Sequence, residues 1–297
     1  MNLELTDRNH IQFVSSTETW SARYGRCRRP VQSFRQECLM TARLIASKTH
    51  QPIWVLFSGG LDSEVVAQSF ELAAVPFHIA IMRFSQDLNQ HDIEWAVKAC
   101  QKNKWPFTFF DLDIHQFWEK NLLQYSIPSK CISPQLAATM WLMDQVEGYP
   151  VLGSGECLLT RPDSHCYDWS LVEKEKVASW YRFLEYRKKN GCAGFFQYTP
   201  EIMLSALDDP FLKNWTRDPS HRQLSNAAIK YDLYSQHFEL EKREKYTGFE
   251  KLAQSDSYYR AILKELMPNY DRVYKTEYFE LIRKLSFSRW RTFLKFS

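Results

Sequence analysis

The sequence predicts an α/β fold: a doubly wound parallel sheet followed by a mainly helical region. Three observations carry that prediction. From residue 33 to residue 156, short apolar runs bounded by turn residues alternate with stretches of helical periodicity, the mark of successive βα units joined by right-handed crossovers. The apolar run Ile53 to Phe57 ends in two adjacent glycines, and a helical segment follows at once. After about residue 165 the alternation gives way to helices rich in aromatics and charge. The expected organisation is a Rossmann-like α/β domain with an N-terminal extension over 1–165, and a helical region packed on it over 166–297.

Taken in order, His10 to Val14 reads as a strand. The basic stretch after it, with Arg23, Arg26, Arg28 and Arg29, suits either a solvated loop or contact with phosphates. Ser33 to Ser47 places Phe34, Cys38, Ala42 and Ile45 on one helical face. Ile53 to Phe57 has the length and β-rich composition of a buried parallel strand. Glu64 to Leu72 returns to helical spacing through Val65, Ala67 and Phe70, and Pro76 closes that unit. Phe77 to Phe84 is a second buried strand. Asn89 is a good N-cap for a helix whose inward stripe is Ile93, Ala96, Val97 and Cys100. His91 and Asp92 in its first turn read as capping residues rather than an acid–base pair. Trp105-Pro106 leads to a third strand, Phe107 to Asp113. Ser133-Pro134 starts a helix with an N-cap and a proline at the first position, and Tyr149 to Leu152 is a fourth strand. Further helices are expected over Glu173 to Lys189, after the cap at Thr199-Pro200-Glu201, and over Leu224 to Leu240.

Composition sets the outer limits. With 297 residues, 44% hydrophobic and 25% charged, the chain can bury a large core and has a globular balance. No apolar run approaches a membrane span and the N-terminus lacks a signal-peptide core, so cytoplasmic residence and no membrane partner are expected. The seven cysteines never form C-x-x-C. Free buried thiols are therefore expected rather than a disulfide framework or zinc knuckle, with Cys157 and Cys166 as candidates for a reactive thiol. A net charge of +3 is too small to announce nucleic acid. Residues 283–297 carry five basic residues and no acid, interleaved with Phe287, Trp290 and Phe293. Such a tail either docks its aromatics on its own domain or stacks bases and follows a phosphate backbone.

The chemistry concentrates at Ser58-Gly59-Gly60-Leu61-Asp62-Ser63. Strand, glycine turn and helix start together make an anion site: glycines let backbone approach a ligand, and free N–H groups at the helix N-terminus point at it. Ser58 and Ser63 add hydroxyl donors. The Asp62 carboxylate suits such a site only when a divalent cation joins it to the anion. No G-x-x-x-x-G-K-[ST] motif occurs, so this is not a Walker-type loop. Gly153-Ser154-Gly155-Glu156, after the fourth strand, should face the first loop, because loops at the carboxyl ends of an open parallel sheet share one crevice.

Ser-Gly-Gly-x-Asp-Ser resembles the PP-loop of the N-type ATP pyrophosphatases, which split ATP between its α- and β-phosphates. Five fixed residues arise by chance in such a chain with a probability on the order of 10⁻⁴ to 10⁻³. The resemblance implies ATP and Mg²⁺ as cofactors, with the metal on Asp62. It implies nucleotide contacts from Phe57, Ser58, Gly59, Gly60, Leu61, Asp62, Ser63, Met82, Gly153, Ser154 and Gly155. The order of parts is similar to the synthetase domain of asparagine and β-lactam synthetases. By that resemblance Glu156 meets the incoming amine, and Lys245, in Arg243-Glu244-Lys245, stabilises the departing pyrophosphate. The family's second metal-binding aspartate is not at its usual place, and Asp163 is the nearest substitute.

The implied activity is an AMP-forming ligase that adenylates an acceptor oxygen and passes it to an amine, with Asp62, Glu156 and Lys245 as catalytic residues. The N-terminal segment is too short for a glutaminase domain, so ammonia, a substrate amine or a separate partner would supply nitrogen. Two other readings stay open at this point. One is a tRNA- or nucleobase-modifying enzyme of the same superfamily, and the other a protein that holds ATP without turning it over.

Overall fold

The computed structural model describes residues 11–15, 20–24, 27–129, 131, 133–155, 158–160, 170–172, 176–215, 226–243 and 249. Its elements run β1 (Ile11–Ser15), β2 (Trp20–Tyr24), α1 (Phe34–Lys48), β3 (Ile53–Leu56), α2 (Leu61–Leu72), β4 (His78–Phe84), α3 (Gln90–Asn103) and β5 (Phe107–Leu112). They continue with α4 (Ile114–Lys120), α5 (Leu122–Ser129), α6 (Pro134–Gln145), β6 (Tyr149–Leu152), β7 (Leu158–Thr160), β8 (Ser170–Val172), α7 (Lys176–Arg187), α8 (Pro200–Leu207), α9 (Pro210–Trp215) and α10 (Asn226–Ser235).

The central sheet has the order β5-β4-β3-β6, and every pairing in it is parallel. Successive strand residues alternate between two cores. Ile53, Val55, Ile79, Ile81 and Val151 enter one core with α1, α2, α3, α8, α9 and α10. Leu56, Ala80, Phe84, Leu112 and Leu152 enter the other with α4, α5, α6 and α7. Helices thus cover both faces, and the expected α/β fold with a doubly wound parallel sheet is the fold observed. The helices of the second half pack into these same two cores. Chain order reverses between β3 and β6, so the switch point of the sheet lies there, with the crevice where ligands bind in such folds.

Several elements differ from the sequence reading. The pairs β1–β2 and β7–β8 are short antiparallel hairpins, and α4 and α5 fill the stretch before Ser133. Cys192 forms a parallel bridge to Val151, with Cys192 N–H donating to Pro150 O and Leu152 N–H to Cys192 O. The region read as mainly helical thus adds one isolated parallel bridge beside β6. A single bridged residue has no periodicity to detect, so no pattern in the sequence announces it. Cys27, Cys38, Cys100, Cys131 and Cys192 are free thiols, whereas Cys157 and Cys166 lie outside the described residues. Among the described residues, no helix is long and apolar enough to cross a membrane.

Side-chain caps are present at some of the expected helix starts and absent at two, since Ser133 sits at the N-cap of α6 without capping it, as Asn89 does at α3. Ser33 forms a full capping box with Gln36 at the start of α1, and Thr199 accepts from Ile202 N–H at the start of α8. Asn89 precedes α3 but its side chain does not cap it. Buried at the end of β4, it accepts from Phe84 N–H at 2.9 Å and donates to Met82 O at 2.9 Å. Asn89→Ala leaves two strand groups unsatisfied, and we expect a loss of about 2–4 kcal/mol in urea unfolding. A surface cap would cost only ~1 kcal/mol.

Candidate active site

β3 delivers the chain into the glycine turn, and the residue that follows the strand is locked in place. Phe57 N–H donates to Ala80 O at 2.9 Å, and the ring is buried against Trp105. Phe57 is thus a core residue that fixes the loop's departure point. Gly59 takes φ +74°, the left-handed region, and Gly60 is the extended N-cap of α2. No side chain caps that helix, so its first-turn N–H groups are left for an anion. Ser58 is exposed, its hydroxyl accepting from Gly60 N–H at 3.4 Å and lying 3.4 Å from the Ser63 hydroxyl. Ser63 Oγ donates to Gly60 O at 2.9 Å and braces the turn.

The second loop lies against the first. A Cβ on Gly153 would come within 2.8 Å of Ser63 N and Cα and of the Asp62 carbonyl carbon, so only glycine permits this approach. Ser154 is buried, its hydroxyl donating to Ala193 O at 2.5 Å while its carbonyl accepts from Phe196 N–H. Gly155 has φ +82°, and a Cβ there would meet Gln197. Gly153 and Gly155 are therefore close-packing glycines, and the Ser154 hydroxyl is committed to the turn after the Cys192 bridge. Met82 sits on β4 with its carbonyl on Asn89 and its side chain packed against the second core.

α10 supplies what the sequence reading missed. Lys230 Nζ donates to Asp62 Oδ2 at 2.9 Å and Tyr234 OH to Asp62 Oδ1 at 2.9 Å. Both carboxylate oxygens thus have protein partners. Lys230 and Tyr234 stand four apart on one helix face, and the Tyr234 ring is stacked with Phe34 and Phe196. The Asp62 and Lys230 side chains are 19% and 20% exposed, so the pair is mostly sheltered and less screened by salt than a surface ion pair. Glu156, Lys245 and Asp163, singled out from the sequence, lie outside the described residues. The Arg-x-Lys stretch is described only to Arg243, whose guanidinium meets Glu64 of α2.

Farther along the same wall, His237 and Asp209 are paired at 2.8 Å. Burial by itself pushes the Asp209 carboxyl up. Bonds from His237 and from the Phe211 and Leu212 N–H groups outweigh it, leaving Asp209 below its ordinary value. A depressed folded value means stability that is present above the unfolded carboxylate range, near pH 4, and is lost as pH falls through the folded value. We expect Asp209→Asn to cost about 1–3 kcal/mol at pH 7. In urea melts the two proteins should converge as pH drops below about 4.

No protein-family model matches the chain, and no curated protein is significantly similar to it. Among solved structures it is similar to NMN synthetase from Francisella tularensis, at 14% identity and a TM-score of 0.33. That match covers 72% of this chain and 98% of the other. A likeness so slight bears on neither family nor activity.

Among the described residues, no three His, Cys, Asp or Glu side chains converge. A caged metal site is therefore not built here, but magnesium ordinarily needs one or two carboxylates and completes its shell with water and phosphate. Asp62, a hard oxygen donor beside free helix N–H groups, fits that demand.

Proposed function

We propose that the chain is an ATP-using enzyme of the PP-loop type, which binds the triphosphate on Ser58–Ser63 and releases pyrophosphate. One observation carries this reading: an uncapped helix N-terminus after two glycines, with an acid in its first turn already matched to a lysine, at the sheet's switch point. The turn and helix N–H groups hold phosphate oxygens, with Ser58 as an added hydroxyl donor. Asp62 would hold the magnesium ion, which supplies neutralisation of phosphate charge when bound. Lys230, whose ammonium meets Asp62 in the loop, is also positioned to stabilise the departing pyrophosphate, the role the resemblance gives to Lys245.

The reaction class follows from the motif order. An acceptor oxygen, best a carboxylate, attacks the α-phosphorus, the bond from α-phosphorus to bridging oxygen breaks, and pyrophosphate leaves with its electron pair. An amine then displaces AMP, as in a synthetase-type ligase without its own glutaminase. Positioning and charge stabilisation supply most of such catalysis. A second reading, a protein that holds ATP without turnover, draws support from the two protein bonds on Asp62.

Product analysis separates these outcomes. With Mg²⁺, labelled pyrophosphate and pooled carboxylic acids, we expect label to enter ATP, and AMP to accumulate once amines are added. Retention of ATP with no exchange across broad pools selects the non-catalytic reading. No retention at millimolar ATP overturns both.

A further inference from the structure

The first turn of α2 contains a second acid, Glu64, two residues beyond Asp62. Unlike Asp62 it is turned into the protein, its side chain 6% exposed. Arg243 Nη2 donates to Glu64 Oε2, and the Arg243 side chain is 5% exposed. Gln68 Nε2 donates to Glu64 Oε1 at 3.3 Å and to Glu239 O at 2.8 Å. The guanidinium lies over the Trp95 ring at 5.3 Å, and its Nε has no hydrogen-bond partner among the described residues. Two acids in the phosphate-loop helix are thus each met by a cation from a later part of the chain: Asp62 by Lys230, Glu64 by Arg243.

The charge pattern poses a physical problem. An anion at a helix N-terminus is held by the partial positive charge of the free N–H groups. A bare carboxylate in that same turn takes up this field and repels the incoming phosphates. Burial strengthens the repulsion, because screening inside the protein is weak. A buried ion pair is poor evidence of stability on its own, since well-packed apolar residues often do as well.

We infer that Arg243 is a positioning residue of the nucleotide site, acting through Glu64: it cancels the buried carboxylate so that the α2 N-terminus keeps its affinity for a polyphosphate. This rests on the reading of Ser58–Ser63 as an ATP site and assigns a role outside the loop motif. The cancellation acts on ligand charge. Its loss therefore weakens ATP most, ADP and AMP progressively less, and adenosine hardly at all. A purely structural role for the pair would weaken all four ligands alike.

The test is calorimetric titration of the full chain with adenosine, AMP, ADP and ATP in the presence of Mg²⁺. Wild type is compared with Glu64→Gln, Arg243→Gln and the double variant, with thermal unfolding run alongside. Arg243→Gln should weaken ATP by about 10- to 100-fold and adenosine by less than about twofold. Glu64→Gln should bind ATP at least as tightly as wild type, and the double variant should return to within about threefold of it. Should Arg243→Gln fail to fold, the other two variants decide. ATP binding weakened by Glu64→Gln, or a double variant without recovery, overturns the inference. A wild type that binds ATP, with variant effects independent of phosphate number, overturns this inference alone. A wild type that binds none of the four overturns the ATP site and the inference together.

Discussion

Asp62→Asn should abolish ATP–pyrophosphate exchange, lowering it by at least about 10²-fold while the protein stays folded. The carboxylate does two things that an amide cannot do together. It balances the Lys230 ammonium, which is only 20% exposed, and under the proposed function it offers a charged oxygen ligand at the mouth of the glycine loop. Asparagine keeps the shape and can still accept from Tyr234. The lysine then faces a neutral dipole and settles elsewhere, and the departing pyrophosphate loses a stabiliser that was held in place. The stability cost is modest, about 1–3 kcal/mol, because the pair retains some solvent access. Exchange assays beside urea melts check both halves of the expectation. Undiminished exchange in the variant would remove Asp62 from the mechanism.

Gly59→Ala should damage the same function by a different route. Gly59 has φ +74°, and a Cβ there would lie 2.2 Å from Asp92 O and 3.1 Å from Asp92 C, both backbone atoms of α3. Neither can rotate away, so α3 and the start of α2 must separate. Left-handed strain and overpacking together cost about 2–4 kcal/mol, and the N–H groups move off the positions that would hold phosphate. We expect the thermal midpoint to fall and ATP retention to be lost in one step. Ser58→Ala, at an exposed position of the same loop, should leave the midpoint nearly unchanged. Comparing the two separates loop geometry from loop chemistry.

Much of the architecture could be read in advance because its causes are local. The run from Ile53 to Leu72 combines a strand's composition, two glycines and a helical period within twenty neighbouring residues, and no distant group is needed to give it that form. Alternation of such units implies parallel strands, and carboxyl-end loops then converge. Asn89 shows where this reasoning stops. Its position before an amphipathic helix suggests a cap, but the end of β4 offers it a buried N–H and a carbonyl, and those unsatisfied groups win.

The sequence alone determined the parallel sheet, the glycine turn before α2 and the approach of Gly153 to it, since each follows from periods and steric needs within short segments. Only the tertiary structure decided which charges face that loop. Lys230 and Asp62 are 168 residues apart, and a lysine four before a tyrosine looks like any solvated helix face. Arg243 and Glu64 each resemble ordinary surface charges until both are buried together. A charge acquires its partner from packing between elements, and the free energy that selects that packing is spread over two whole cores rather than written in the residues that meet.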